Sequence, residues 1–278
     1  MRPAVVLVAA LVVAACPGAQ AAAPVPDFAH IIVVVFENKD ESQIIGSDDA
    51  PTFNQFAQRY ARLSRYTAVT HPSLPNYLAL VSGSTHGIHS DCTSCIVNAP
   101  NLSDTLRRAG RSWKTYAENL PRPGYTGAFR GRYAKKHNPF LYFRDVVRNP
   151  ARRNRIVPLT QLALDLHARA LPDFSLVVPN MCNSMHDCSV ETGDAWLRRL
   201  LPPLLELPKT SVFVVFDEGR TRGGNRVPAL VLGTAVRPGV QSAQVTGHYG
   251  LLRTVEAAWG LSLLGNSARA APITGIWR

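Results

Sequence analysis

Ile31-Ile32-Val33-Val34-Val35-Phe36 is followed at once by Glu37-Asn38, and much later Val212-Phe213-Val214-Val215-Phe216 is followed by Asp217-Glu218. Each apolar run has the length and β-branched content of a strand buried on both faces, the kind found in parallel sheets. In an open α/β sheet, ligands bind beyond the carboxyl ends of the strands. Both runs therefore predict polar pairs meeting at one edge of a sheet. Further apolar stretches at Trp113 to Ala117, Phe174 to Val178 and Pro228 to Leu232 alternate with helical patterns at Pro51 to Tyr60, Pro139 to Val147, Pro158 to Ala170, Val190 to Leu201 and Leu251 to Trp259. That alternation predicts a mostly parallel sheet covered on both faces.

A third stretch points to the same edge. In Thr70-His71-Pro72-Ser73-Leu74-Pro75-Asn76-Tyr77, strand-like residues Leu63 to Val69 give way to helix-like residues Pro75 to Val81, with prolines suited to a turn and a first helical turn. Ser73 thereby falls at a helix N-terminus, where free N–H groups and the helix dipole favour an anion or an alkoxide. The competing role is that Ser73 merely caps the helix. Ser73 with Glu37, Asn38, Asp217 and Glu218 makes an oxygen-rich group suited to a hard divalent metal, although arginine salt bridges would equally account for the carboxylates.

At these residues the chain resembles the bacterial phosphoesterase family of acid phosphatases and phospholipases C, within the alkaline-phosphatase-like superfamily. The matching pieces are VVVFENKD, HPSLPNY, MHDCSVETGDAWL, FDEG and GHYGLLRTVE, in family order across most of the chain. The resemblance implies an α/β three-layer sandwich with a mostly parallel central sheet, and a divalent metal ion held by Glu37, Asn38, Ser73, Asp217 and Glu218. It implies hydrolysis of organic phosphate monoesters through a phosphoserine at Ser73, with phosphoinositides among the substrates of similar short members. His186 and His248 would bind phosphate oxygens or protonate the leaving alcohol, or join Asp187 in holding a second metal. Asn76 would donate to the phosphoryl group or cap local backbone, and His71 would lie near Ser73 or be packed away. A phospholipase C-type diesterase is the first alternative. A basic surface protein that binds anionic lipid or polymer without catalysis is the second.

The chain has 278 residues, 46% hydrophobic and 18% charged, which suits one large globular domain. Met1-Arg2, the apolar stretch Ala4 to Ala15 and Ala19-Gln20-Ala21 predict a signal peptide over residues 1–21 and a single phosphoesterase domain over 22–278, hence secretion. Lipid attachment at Cys16 is the less favoured variant. Four other cysteines, Cys92, Cys95, Cys182 and Cys188, suggest two disulfides in an oxidising compartment. Neighbour pairing is the simplest of three connectivities.

A net charge of +11 attracts phosphorylated substrates, lipid headgroups or an anionic membrane surface. Arg148, Arg152, Arg153 and Arg155 form the densest basic cluster, read as a solvated loop, and no nucleic-acid-binding motif accompanies it. G-x-S-x-G, H-E-x-x-H and G-x-x-x-x-G-K are all absent, which disfavours α/β-hydrolase esterases, zincins and nucleoside triphosphatases.

Overall fold

The computed structural model describes residues 24–220 and 224–278. The signal peptide expected over residues 1–21, with Cys16, lies outside the described residues. In chain order the strands are β1 (His30–Phe36), β2 (Ala61–Leu63), β3 (Tyr66–Thr67), β4 (Trp113–Ala117), β5 (Phe129–Arg130), β6 (Tyr133–Ala134), β7 (Ile156–Pro158), β8 (Phe174–Val178), β9 (Thr210–Phe216), β10 (Ala229–Leu232), β11 (Gln241–Ser242) and β12 (Thr246–Gly247). The helices are α1 (Glu41–Ile44), α2 (Pro51–Arg59), α3 (Ser73–Ser82), α4 (Leu102–Arg108), α5 (Arg144–Val147), α6 (Pro150–Arg153), α7 (Thr160–His167), α8 (Val190–Leu205) and α9 (His248–Trp259).

Eight strands form one sheet in the order β11-β2-β10-β9-β1-β8-β4-β7. β1 lies near its middle and pairs in parallel with β8 on one side and β9 on the other. Its apolar side chains from Ile31 to Phe36 are at most 2% exposed. Burial of such side chains contributes roughly 1.5–3 kcal/mol each before chain entropy is charged against it. Central placement of this strand is therefore what the run of valines and isoleucines dictates. The sheet is mixed because β10 runs antiparallel to both β9 and β2.

Four aromatic rings fix the ends of the two central strands. Phe36 and Phe216 are register partners with stacked rings 5.3 Å apart, and Phe53 of α2 and Trp196 of α8 meet Phe36 edge-on at 5.2 and 5.7 Å. Asp194, one helical turn into α8, accepts the Phe53 N–H at 3.0 Å and so serves the first turn of α2. The residues that follow Phe36 and Phe216 thus leave a rigid platform.

Several local expectations need correction. The predicted strand from Leu63 to Val69 is split into β2 and β3, because a turn at Ser64 and Arg65 re-aims the chain. Asn101 caps α4, accepting the Ser103 N–H at 3.0 Å. Residues 119–138 contain a hairpin, β5–β6, and a 3-10 turn at Lys135–His137 in which Lys135 and His137 are buried. Pro139–Tyr142 is a 3-10 turn ahead of α5, not one helix. α8 continues to Leu205 through Pro202 and Pro203. Among the described residues no helix is long and apolar enough to cross a membrane.

Candidate active site

Pairing of Phe36 with Phe216 sets Glu37 and Asp217 side by side at the carboxyl edge of the sheet, both 0% exposed, with Glu218 next to them. Asn38 takes a left-handed conformation, φ 54°, which asparagine tolerates better than most residues. Its N–H donates to Asp217 Oδ1 at 3.1 Å, and the Glu218 N–H donates to the same oxygen at 2.6 Å. Asp217 Oδ2 is buried with no hydrogen-bond partner among the described residues.

Ser73 is the first residue of α3, after Pro72 at the cap. Its Oγ lies 3.1 Å from Glu37 Oε2 and 3.3 Å from Glu218 Oε1, and its single proton serves one of them at a time. α3 is buried along its whole length and ends at Gly83, where φ is 70° and a Cβ would sit 1.9 Å from the Leu264 carbonyl oxygen. Only glycine fits there, so the length and position of α3 are tied to the chain that passes behind it. One free N–H of its first turn is already taken, because Leu74 donates to Asp91 Oδ1 at 2.9 Å.

Burial pushes Glu37 well above the ordinary carboxylate range, and the charge of Asp217 adds to the effect against hydrogen bonding from Tyr77. Burial also raises Asp217, and burial followed by the charge of Asp217 raises Glu218 to about 8. The three carboxylates are therefore not all stably ionised without a positive partner. An all-oxygen donor set with one orphaned carboxylate oxygen fits a hard cation. Among the described residues, however, no three histidine, cysteine, aspartate or glutamate side chains already converge as a finished ligand shell.

A cleft of about 730 Å³ opens over this edge, lined by Asn38, Lys39, His71, His186, Glu218 and Arg220 among others. His71 Nδ1 is 2.6 Å from Glu218 Oε2, so this residue belongs to the site. His186 sits in the loop closed by the Cys182–Cys188 disulfide, and the second disulfide joins Cys92 to Cys95. Asp187 Oδ1 lies 2.7 Å from His186 Nδ1, on the exposed side of the ring.

Two expected residues face elsewhere. Asn76 is wholly buried, accepting the Val69 and Thr70 N–H groups through Oδ1 and donating to the Thr70 and Pro72 carbonyls. All of its capacity goes to shaping the turn before Ser73, the local-backbone role. His248, the first residue of α9, is 1% exposed, with Nε2 2.6 Å from the Asp217 main-chain oxygen and Nδ1 2.9 Å from the Tyr66 hydroxyl. Both ring nitrogens are engaged, so in this geometry the ring does not present a free nitrogen to the cleft.

Three site residues went unread in the sequence. Tyr77 donates a short hydrogen bond to Glu37 Oε1. Its spacing from Ser73, one helical turn on, was the available signal. Lys136 Nζ is 2.8 Å from Asp91 Oδ2 and 3.3 Å from His186 Nε2. Burial works to lower its pKa, but the hydrogen bond and charge of Asp91 with the field of Glu37 and Asp217 leave it raised and the ammonium charged. His137 stacks on Tyr77 at 5.3 Å, and its Nε2 is 3.2 Å from Glu37 Oε2 but too poorly aligned to count as a hydrogen bond. Burial, then the charges of Lys136 and His186, hold its pKa well below the usual histidine range, so the ring is neutral.

Residues 46–262 match the Phosphoesterase family. The chain is 38% identical over 263 residues to a phosphatidylinositol-3-phosphatase of Mycobacterium tuberculosis, covering 92% of this chain and 85% of that protein. It is 32% identical over 254 residues to a probable acid phosphatase of Kluyveromyces lactis, of which it spans 60% of the length and which covers 86% of this chain. Among solved structures, a protein in the alkaline phosphatase superfamily from Vibrio parahaemolyticus superposes with a TM-score of 0.58 at 13% identity, covering 86% of this chain and 69% of that one. At that identity the likeness speaks to the fold, which is the alkaline-phosphatase-like α/β arrangement.

Proposed function

This chain belongs to the phosphoesterase family, and from that premise and the geometry of the site we propose that it is an acid-phosphatase-type phosphomonoesterase with Ser73 as its nucleophile. The observation that carries the reading is the Ser73 hydroxyl at the first turn of α3, 3.1 and 3.3 Å from two buried carboxylates. An ordinary capping serine has no reason to sit among three groups that resist ionisation.

In the first step Ser73 Oγ bonds to phosphorus as the bond to the ester oxygen breaks, and the leaving alcohol takes up a proton. Water then attacks the phosphoserine, which restores the serine and releases inorganic phosphate. Glu37, Asp217, Glu218 and Ser73, with Asn38 at the rim, would hold a hard divalent cation, which when bound lowers the pKa of the serine hydroxyl and offsets charge on the phosphoryl group. His186 lines the cleft and Lys136 Nζ lies 3.3 Å from its Nε2; the ammonium supplies positive charge toward the phosphoryl oxygens, and the proton for the leaving oxygen comes from this pair. Asp187 orients the His186 ring, and His71 does the same for Glu218. Asn76 and His248 act at one remove: they hold the Ser73 turn and the Asp217 main chain.

The name of the mycobacterial relative makes a phosphoinositide the first natural substrate to try, and the net charge of +11 suits an anionic lipid headgroup. Two disulfides favour an oxidising compartment, so we place the protein outside the cytoplasm. The test is phosphate release from phosphatidylinositol 3-phosphate and from matched aryl phosphate mono- and diesters, with Ser73→Ala as the blank. Monoester turnover lost in the blank is the expected result. Preference for the diester would move the chain to the phospholipase C reading, and no turnover with any ester and any divalent metal would overturn the catalytic one.

A further inference from the structure

A second cavity, of about 420 Å³, lies at the opposite edge of the sheet from Ser73. Trp113 opens β4 and Arg155 immediately precedes β7, so the cavity sits at the amino ends of parallel strands whose carboxyl ends serve the active site. Its lining includes Arg107, Arg111, Arg152, Arg155 and Asn149 and no carboxylate. Arg152 and Arg155 belong to the basic cluster that the sequence suggested was a solvated loop. The fold instead brings both to one cavity with Arg107 of α4.

The four arginines are not equivalent. Arg111 is tied to Asp173 at 2.9 Å and Asp27 at 3.3 Å, and Arg152 to Asp104 at 2.8 Å and to Asp145. Arg107 and Arg155 are exposed, and neither guanidinium makes a hydrogen bond or ion pair with the described residues. Arg152 Nε is buried without a partner. Asn149 Oδ1 accepts the Arg152 N–H at 3.2 Å, which leaves its amide NH₂ unspent. The two uncompensated guanidiniums repel one another across the hollow, and an anion between them would offset that. The orphaned Arg152 Nε and the free Asn149 amide add donors beside it, and guanidinium forks match phosphate oxygens in pairs.

We propose that this cavity is a second, non-catalytic anion site that binds a compact phosphorylated group bearing at least two phosphate charges, either free in solution or as a lipid headgroup. Binding there is independent of Ser73 chemistry and stands or falls separately from it.

The probe is inorganic pyrophosphate, titrated calorimetrically into metal-free Ser73→Ala protein with and without Arg107→Ala and Arg155→Ala. Charge-assisted hydrogen bonds of this kind carry roughly tenfold or more in affinity each, so the double change is expected to weaken the tightest binding event by about 100-fold. With Ser73 intact, the same double change is expected to leave aryl phosphate hydrolysis unaltered. A parallel arm measures sedimentation with phosphatidylcholine vesicles with and without phosphatidylinositol 3-phosphate. Loss of phosphoinositide-dependent sedimentation supports a lipid headgroup as occupant, and loss of pyrophosphate binding alone supports a free anion. Equal binding of both probes by the two proteins overturns the site. Should the double variant fail to fold, phenylglyoxal labelling of the unaltered arginines replaces it: pyrophosphate must protect Arg107 and Arg155, and their unchanged labelling overturns the proposal.

Discussion

His248 Nε2 donates to the main-chain oxygen of Asp217 at 2.6 Å, while its Nδ1 accepts from the Tyr66 hydroxyl at 2.9 Å. A carbonyl oxygen can only accept, so a hydrogen must sit on Nε2, and burial, which disfavours the imidazolium, keeps the ring neutral. Burial lowers its pKa to about 4, against a smaller opposite pull from the Asp217 carbonyl.

A stability prediction follows from that pair. Unfolded imidazole takes a proton below about pH 6.5, whereas the folded ring does so only near 4. Between those values the unfolded state binds more protons, so the contribution of His248 is full above pH 6.5 and shrinks as pH falls toward 4, by about 3 kcal/mol in all. Urea unfolding of the native protein and of His248→Gln should show the native advantage at pH 7 shrinking by most of that amount at pH 4.5. A difference that stays constant with pH would contradict the buried neutral ring.

Cation binding should be visible without any turnover. Glu218 holds its proton up to about pH 8, far above the unfolded carboxylate, so its contribution in metal-free protein is present at low pH and is lost as pH rises through 8. A divalent cation replaces that proton. At a concentration about 100 times Kd it should raise the melting temperature by roughly 5–10 °C at pH 8, and by clearly less at pH 5, where protons compete. Calorimetric scans with calcium or magnesium after chelation check this, and an equal rise at both pH values would count against the carboxylate site.

Lys136→Met keeps the stem and removes the charge. Charge-assisted contacts to phosphate are worth roughly tenfold to a hundredfold, and kcat/KM for an aryl phosphate should fall by about that factor. The melting temperature should fall by a few degrees, because Asp91 Oδ2 loses its ammonium partner while Oδ1 keeps the hydrogen bond from Leu74. Unchanged kinetics would remove Lys136 from the site.

The sheet centre was legible because a strand buried on both faces must be apolar throughout, as Ile31 to Phe36 and Val212 to Phe216 are. Glu37 and Asp217 were legible for the same reason: they are the first polar residues after those runs. Lys136 and His137 were not, since they reach the site through a 3-10 turn in a stretch whose glycines and charges carry no periodicity. His248 was visible as a residue but not in its orientation, which depends on a partner, Tyr66, 182 positions away. The arginine cavity was hidden likewise, because Arg107 of α4 and Arg155, 48 positions on, line one hollow only in the folded chain.

The central claim is that Ser73 carries the phosphoryl group between the two steps. Mass spectrometry of protein quenched in acid during turnover of a phosphate monoester is predicted to find one phosphoryl group on the peptide containing Ser73, and none in Ser73→Ala. Steady phosphate release with no such adduct, continuing undiminished in Ser73→Ala, would contradict the account.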